Sequence, residues 1–209
     1  MTEKADSLDS AYAIRTPEDS VRHYGAWAVT YETDFAERMD WVMPRLVVGL
    51  YRSLGGAGPV LDAGAGTGLL GVELAKDGVG PVDGIDISTE MLAVARGKGV
   101  YRNLSAADLT RPLAIGDGIY GGCVSSGTFT HGHVGTEAFD ELLRVMRPGA
   151  VFAGSIHPGV YEAKGFAAAF AAFGSRIGDL ALHPVFGFGP KAQGDHARDP
   201  GLIVCFTRT

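Results

Sequence analysis

The 209-residue sequence lacks any apolar run as long as the ~18 residues that a membrane-spanning helix requires. Cysteine is scarce too, with Cys123 and Cys205 as the two thiols, and no hydrophobic segment typical of a signal peptide lies near the start. Two buried thiols are favoured over a disulfide, because disulfides belong mainly to secreted proteins. We expect a cytoplasmic protein with no membrane partner.

Positive charge is also in short supply, with 18 Lys and Arg against 24 Asp and Glu and a net charge of −6. A nucleic-acid partner normally meets a face rich in Lys and Arg, so the balance disfavours one without excluding a local basic patch. The length and the 46% apolar content suit one soluble domain, residues 1–209.

The first quarter of the chain is predicted to be helical. Thr16 and Pro17, followed by two acids, are typical of a helix start, and Tyr24, Trp27 and Tyr31 follow at helical spacing. Pro44 is predicted to open a second helix over 44–54. Residues 1–55 are therefore interpreted as a helical N-terminal cap on a core formed by 56–209.

Within that core, strands and helices alternate. Short apolar runs predict strands, and the stretches between them predict helices. The predicted strands are 58–62, 81–86, 100–105 (weak), 118–125, 150–156 and 202–207. The predicted helices are 68–77, 89–97, 136–146 and 163–174. Phe166, Phe170 and Phe173 of the last helix are interpreted as core residues, although they would also suit an apolar acceptor pocket. Alternation predicts a parallel sheet covered on both faces, with ligands beyond the carboxyl ends of the strands.

The stretch Asp62-Ala-Gly-Ala-Gly-Thr-Gly68 falls where the first strand meets the first helix. Glycines at alternate positions permit a tight turn and let a ligand approach the backbone closely. A dinucleotide site has the spacing GxGxxG, and an acid at the strand end is a poor neighbour for pyrophosphate. Asp62 instead suits a ligand that carries a positive amino group.

Two further acids follow the next strands. Asp86, in GIDIS, is placed to accept hydrogen bonds from the vicinal hydroxyls of a ribose, the alternative being a cap on the helix that begins near Ser88. Asp108, in AADL, is placed to accept a bond from an adenine amino group, the alternative being an ordinary surface-loop acid.

Together these motifs resemble the class I S-adenosylmethionine-dependent methyltransferases, over roughly residues 56–157. The resemblance implies an α/β fold with a doubly wound, mostly parallel, seven-stranded Rossmann-like sheet that has one antiparallel strand near the edge. Its sixth strand would lie near 182–189. The implied cofactor is S-adenosylmethionine, with S-adenosylhomocysteine as the product.

The resemblance also implies which residues bind the cofactor. Asp62 would orient the methionine amino group, Asp86 would hold the ribose, and Asp108 would meet the adenine edge. The other implied cofactor-binding residues are Gly64, Ala65, Gly66, Ile87, Met91, Leu109, Ser125, Ser126 and Gly127.

A narrower resemblance lies outside these motifs. HYGAWAVTYETDF, residues 23–35, is similar to the helix that precedes many small-molecule methyltransferase domains, which implies that Tyr24, Trp27 and Tyr31 lie over the cofactor. SSGTFTHGHVG, residues 125–135, resembles the corresponding loop of the Williams–Beuren syndrome region methyltransferase-like proteins. Gly121 departs from the family pattern, which usually has a structural Asp in the fourth strand.

Methyl transfer by in-line displacement requires alignment first, and a base only if the acceptor must lose its proton early. His131 and His133 are the catalytic candidates, ahead of His157, with hydrogen bonding to loop backbone as the alternative role for each. No metal site is expected. The absence of an Asn-Pro-Pro-aromatic stretch, together with the acidic balance, favours a small molecule or a protein side chain over nucleic acid as the acceptor. A small molecule with an O, N or C nucleophile is the leading expectation. A nicotinamide-dependent oxidoreductase and a non-catalytic cofactor-binding module stay as alternatives.

Overall fold

The computed structural model describes residues 14, 16–131 and 134–209. Seven strands form one sheet in the order β3-β2-β1-β4-β5-β7-β6. Neighbours from β3 through β5 pair in parallel, and β7 runs antiparallel to both β5 and β6. This is the doubly wound, mostly parallel sheet that the alternation and the resemblance predicted, with its single antiparallel strand next to the edge.

The element bounds are as follows. The strands are β1 Val60–Ala63, β2 Val82–Asp86, β3 Asn103–Ala106, β4 Tyr120–Phe129, β5 Met146–Ile156, β6 Ile177–Phe186 and β7 Pro200–Arg208. The helices are α1 Pro17–Trp27, α2 Met43–Ser53, α3 Leu69–Lys76, α4 Thr89–Gly97, α5 Ala138–Val145, α6 Pro158–Ala163 and α7 Phe166–Phe173.

Helices cover both faces of the sheet, and each face has its own apolar core. On one face α5 and α7 contribute Phe139, Leu142 and Phe170 to a core that includes Cys123. On the other face α2 and α3 pack over a core that includes Cys205. Both cysteines are free and fully buried, as predicted, and the sheet lies between them.

Several boundaries differ from the sequence-based prediction for local reasons. The helix predicted over 163–174 is α7, which begins only at Phe166 because Gly165 before it adopts the left-handed conformation at φ +66°, and α6 lies in a stretch where no helix was predicted. β6 lies earlier than 182–189, and β4 continues to Phe129, so that residues 125–129 belong to a strand. The helix predicted over 136–146 ends at Val145, and the stretch Arg147-Pro148-Gly149 that follows lies within β5.

Within its described residues, the N-terminal segment forms three short helical pieces. Thr16 caps α1 by accepting a hydrogen bond from the Asp19 amide at 3.1 Å, as its sequence indicated. A π-helical turn, Glu32–Glu37, follows, and then α2. A third apolar cluster packs this segment against Phe188, beyond β6, and the ion pair of Glu32 with Lys98 joins it to the end of α4. In the part of the chain described, no helix combines the length and apolarity needed to cross a membrane.

Candidate functional site

The glycine-rich turn between β1 and α3 is fastened to the neighbouring strands. The amides of Gly64 and Ala65 both donate to the Ile85 carbonyl of β2, at 2.8 and 2.9 Å. Gly64 has φ +80°, and a Cβ there would lie 1.9 Å from the Thr128 hydroxyl of β4. Only glycine allows the turn to lie this close to β4.

A cavity of about 270 Å³, here called the first cavity, opens over this turn at the carboxyl ends of the strands. It brings together most of the predicted cofactor-binding residues from five separate stretches of sequence. Those that line it are Tyr24, Tyr31, Gly64, Ala65, Gly66, Asp86, Ile87, Met91, Asp108, Leu109, Ser126 and Gly127. Three predicted residues, Trp27, Asp62 and Ser125, are not among its lining residues.

Asp86 both faces the first cavity and orders the backbone around it. Its carboxylate accepts hydrogen bonds from the Gly66 amide and the Ser88 amide, each at 2.8 Å. The side chain that caps α4 is that of Ser88, so Asp86 supports the start of this helix only through its hydrogen bond with the Ser88 amide. Burial raises the pKa of Asp86, against the effect of these amide donors. A carboxylate has about four acceptor positions, so the backbone amides leave acceptor capacity for a ligand.

Asp62 lies behind the wall of the cavity, with no exposed surface. The Tyr101 hydroxyl donates to its Oδ2 at 2.6 Å and itself accepts from the Gly71 amide at 3.1 Å. Its Oδ1 is buried and has no hydrogen-bond partner among the described residues. Burial raises the pKa of Asp62 to about 7, while the Tyr101 hydrogen bond acts to lower it.

Of the remaining polar residues, some line the first cavity and others hold the strands beneath it in place. Asp108 Oδ1 accepts from the amide and the hydroxyl of Thr110, at 2.8 and 2.7 Å. Ser125 is fully buried and donates to the Ala63 carbonyl at 2.6 Å, which ties β4 to the end of β1 beneath the turn. The Gly127 amide donates to Ser155 Oγ at 2.9 Å, fixing the end of β4 against β5.

Sequence reasoning missed part of the wall. Ser20, Trp41, Pro44, Thr67, Leu69, Leu70, Ala107, Thr110, Thr128, Val134 and Glu137 also line the first cavity. Thr67 could have been found, since it lies inside the glycine-rich motif. Trp41 carries no motif and is placed by its isolated bridge to Phe188.

A second cavity, of about 90 Å³, adjoins the first. Tyr24, Tyr31, Trp41 and Gly127 line both cavities. Trp27 lines the second cavity, and burial raises the pKa of Tyr31 well above its usual value. The aromatic residues predicted to lie over the cofactor are therefore placed partly over the first cavity and partly at the junction of the two.

The predicted catalytic histidines have different outcomes. His133 lies outside the described residues. His131 lines neither cavity, but its ring centroid is 4.4 Å from that of His157, which lines the second. Burial and the neighbouring His131 lower the pKa of His157. Among the described residues there is no group of three or more His, Cys, Asp or Glu placed to hold a metal ion.

The first cavity fits an S-adenosyl group on its own chemistry. A Cβ on Gly66 would project into open space, so the glycine leaves backbone bare to the ligand. The hydroxyls of Thr67 and Ser126 are buried without partners in the described part of the protein, and both residues line the cavity. Polar atoms left in this way are expected where a bound ligand supplies the missing hydrogen bonds.

Comparison with known proteins agrees with this geometry. Residues 60–149 match the family described as a methyltransferase domain. The human protein called Methyltransferase-like protein 27 is 32% identical over 147 residues, which cover 68% of this chain. The chain spans 59% of the length of that human relative.

Two solved structures share the fold at low sequence identity. The S-adenosylmethionine-dependent methyltransferase from Mesorhizobium loti is 18% identical, with a TM-score of 0.56, over 77% of this chain and 96% of that one. The [4+2]-cyclase SpnF is 17% identical, with a TM-score of 0.70, over 94% and 97%. At these identities the likeness shows the fold alone. Residues 60–149 are a methyltransferase domain, and the chain has the fold of the class I S-adenosylmethionine-dependent methyltransferases.

Proposed function

We propose that this protein binds S-adenosylmethionine in the first cavity and transfers its methyl group to an O, N or C nucleophile of a small molecule. The observation that carries the proposal is the position of Asp86. Its carboxylate lines the cavity, retains acceptor capacity for a ligand, and is held by the amide of the glycine-rich turn at Gly66. A vicinal diol is the ligand group that matches such a carboxylate.

The other residues then have distinct tasks. Asp86 would bind the ribose hydroxyls, and Asp108 would accept from the adenine amino group. Ile87, Met91 and Leu109 would pack on the adenine, and the turn at Gly64, Ala65 and Gly66 would lie along the methionine moiety with Ser126 and Gly127 opposite. Ser125 would not contact the cofactor but would hold the end of β1 in place through its hydrogen bond to the Ala63 carbonyl.

Asp62 would contribute from behind the turn. Its unpartnered Oδ1 is a buried carboxylate oxygen, and a positively charged amino group is the partner that would favour its ionised form. Tyr101 would act as a positioning residue, because its hydrogen bond to Oδ2 fixes the orientation of the carboxylate.

When bound, the cofactor supplies an activated methyl group on a sulfonium. The task of this chain is to align the acceptor with that group and to exclude water, and alignment of this kind contributes about 7–11 kcal/mol in favourable cases. The aromatic side chains at the junction, Tyr24, Tyr31 and Trp41, would form the wall along which the acceptor approaches. A role for His131 or His133 in moving a proton stays a prediction.

Calorimetry with S-adenosylmethionine, S-adenosylhomocysteine and NAD tests the cofactor. We expect both adenosyl-sulfur ligands to bind and NAD not to bind, since Asp62 and the GxGxG spacing oppose a pyrophosphate. Binding of NAD without either adenosyl-sulfur ligand would favour the oxidoreductase alternative and overturn the proposal.

A labelled-methyl assay over a library of small acceptors tests the transfer itself. We expect methylation of at least one neutral small molecule by the cofactor-loaded protein. Cofactor binding with no transfer to any member of a broad library would favour the non-catalytic binding module.

A further inference from the structure

The second cavity has the position expected of an acceptor site. It adjoins the first cavity, and the four residues that line both cavities form the junction between them: Tyr24, Tyr31, Trp41 and Gly127. A molecule in the second cavity would therefore lie beside whatever occupies the first. The shape and charge of its wall, and the groups there that could accept a proton, indicate which kind of molecule it can bind.

The wall is mostly aromatic and is assembled from distant parts of the chain. Trp27 lies with its ring centroid 5.0 Å from that of Tyr31, and Trp41 lies 5.0 Å from Phe188. Phe35 packs 5.5 Å from Trp41. Rings at these separations are in mutual contact and present flat, apolar surfaces, which favour a planar aromatic occupant.

The volume limits the occupant to about one ring. At about 90 Å³ the second cavity has a third of the volume of the first. A compound with one small ring suits this volume better than a compound with two fused rings.

One buried polar atom requires a partner from the occupant. Trp27 is 2% exposed, and its Nε1–H has no hydrogen-bond acceptor among the described residues. Ser155, another lining residue, already accepts from the Gly127 amide. An indole N–H only donates, so the occupant is expected to carry an oxygen or nitrogen that accepts a hydrogen bond.

The charge of the wall disfavours an anion. Among the described residues that line it, Asp199 is the one formally charged side chain, and its Oδ2 lies 2.7 Å from His196 Nδ1. Within residues 16–131 and 134–209, neither Lys nor Arg lines the cavity. A carboxylate ligand would lose its hydration and gain no cation in return, so the occupant is expected to be neutral.

Neither group able to take a proton is free to do so. The Gly159 amide donates to His157 Nδ1 at 3.2 Å, which places the proton of the neutral ring on Nε2. Neither ring nitrogen is then a base, since Nδ1 accepts from the amide and Nε2 carries the proton, and Asp199 is engaged by His196. A nucleophile that needs early deprotonation, such as a phenol, is poorly served here. A neutral nitrogen has its lone pair available without a base.

We propose that the second cavity binds the methyl acceptor, and that this acceptor is a small, neutral, single-ring nitrogen aromatic with a separate hydrogen-bond acceptor for Trp27. The inference rests on the proposed function. The nitrogen lone pair forms the new N–C bond, and the electron pair of the broken C–S bond stays on sulfur as a neutral thioether. The positive charge passes to the methylated nitrogen, which releases a proton to water if it carries one.

Four matched probes test the proposal on the protein saturated with S-adenosylhomocysteine. They are 3-acetylpyridine, which has the ring nitrogen and a carbonyl; acetophenone, which lacks the nitrogen; nicotinate, which is an anion; and 3-acetylquinoline, which has a second ring. Calorimetry and tryptophan fluorescence report binding, because Trp27 and Trp41, the two tryptophans of the chain, both line the cavity.

We expect 3-acetylpyridine and acetophenone to bind with similar affinity, and only 3-acetylpyridine to accept a labelled methyl group in the S-adenosylmethionine complex. Nicotinate and 3-acetylquinoline are expected to bind at least about tenfold more weakly. Stronger binding of nicotinate or of 3-acetylquinoline than of 3-acetylpyridine would overturn the inference. Binding of 3-acetylpyridine by a protein that does not bind S-adenosylhomocysteine would overturn the proposed function instead.

Trp27→Phe tests the hydrogen bond. The variant keeps an aromatic ring and removes the N–H, so affinity for 3-acetylpyridine should fall about tenfold while affinity for S-adenosylhomocysteine is retained. Tyr161→Phe is the matched control, since Tyr161 packs on Phe166 in another core and lines neither cavity. Unchanged probe affinity in Trp27→Phe, with an unfolding midpoint like that of the control, would contradict the assigned contact.

Discussion

The two cavities share a wall, yet they are built in different ways. The first is formed mainly by the turns that follow β1, β2 and β3, where backbone geometry and short polar side chains do most of the shaping. The second is formed mainly by large side chains that come from the N-terminal segment, from β4 and β5, and from the loop beyond β6. A wall of the first kind suits a ligand that all members of a family bind. A wall of the second kind suits a ligand that is particular to one protein.

This difference has a physical basis. Turns at strand ends are fixed by sheet register, as when the Gly64 and Ala65 amides both reach the Ile85 carbonyl. Aromatic walls are fixed by packing, and a single substitution changes their shape without moving the sheet. Changes to the first cavity should therefore cost both fold and cofactor, whereas changes to the second should act on the acceptor.

The largest effect is expected for Gly64→Ala. A Cβ there would lie 1.9 Å from Thr128 Oγ1 at a φ of +80°, so the turn must move. We expect a loss of about 2–4 kcal/mol in the free energy of unfolding and about a hundredfold loss in cofactor affinity. Denaturant titration and calorimetry measure the two.

Gly55→Ala is the control for this variant. Gly55 has the same φ of +80° but nothing within 4 Å of an added Cβ, so it carries the strain without the clash. We expect a loss of about 1–2 kcal/mol in stability and unchanged cofactor affinity. Equal effects in the two variants would mean that the approach of the turn to β4 has no special part in binding.

Asp86→Ala should come next. The substitution removes the acceptor of the Gly66 and Ser88 amides and the carboxylate proposed to bind ribose. We expect cofactor affinity to fall about thirtyfold and stability by about 1–2 kcal/mol. Asp77→Ala is a suitable control, since Asp77 is exposed, pairs with Arg52 at 3.3 Å and does not line the first cavity. Unchanged affinity would leave Asp86 with a purely structural role.

The raised pKa of Asp62 predicts opposite pH trends for folding and binding. Its folded pKa of about 7 lies above the ordinary 3.8, so the native state holds the proton longer and stability falls as pH rises from about 4 to about 7. Cofactor affinity should rise over the upper part of that range, because only the carboxylate attracts the amino group. The slope should not exceed about tenfold per pH unit.

Two variants isolate this titration. Asp62→Asn should abolish the pH dependence of cofactor affinity between pH 5 and pH 8, roughly one unit or more on either side of the raised pKa. Tyr101→Phe removes the donor to Oδ2 and should move the profile to higher pH. An identical profile in the wild type and Asp62→Asn would assign the titration to another group.

The smallest effect is expected where the N-terminal segment meets the core. Glu32 of the π-helical turn pairs with Lys98 at the end of α4, and both side chains are partly buried. A double-mutant cycle with Glu32→Gln and Lys98→Met should give a coupling energy below about 1 kcal/mol. A coupling several times larger would mean that this pair, rather than the aromatic cluster, holds the segment over the cavities.

Much of the parallel half of the sheet could be predicted because its signals are local. Short apolar runs mark β1, β2 and β5, and the glycines that follow β1 mark the turn. β6 was placed too late, since as an edge strand its apolar residues include exposed ones, such as Leu180, Leu182 and Phe186, which blur the pattern. The break between α6 and α7 depends on Gly165, which is one glycine among 31 in the sequence.

The grouping of residues around the first cavity was predictable to the same extent. Asp86, Asp108 and the glycine-rich turn line one cavity, as residues that follow neighbouring parallel strands should. The inward rotation of Asp62 towards Tyr101 could not be predicted, because it depends on a residue 39 positions away. The second cavity depends on contacts such as that between Phe35 and Phe188, with ring centroids 6.1 Å apart, which no local pattern encodes.

The placement of the two thiols on opposite faces of the sheet has a practical consequence. Cys123 and Cys205 each face a different buried core, so native molecules exposed to an oxidant have no route to an internal crosslink. An unfolded chain has no such barrier. Faster migration on a non-reducing gel after brief oxidation would therefore count denatured molecules, which gives a simple gauge of sample quality for every variant described above.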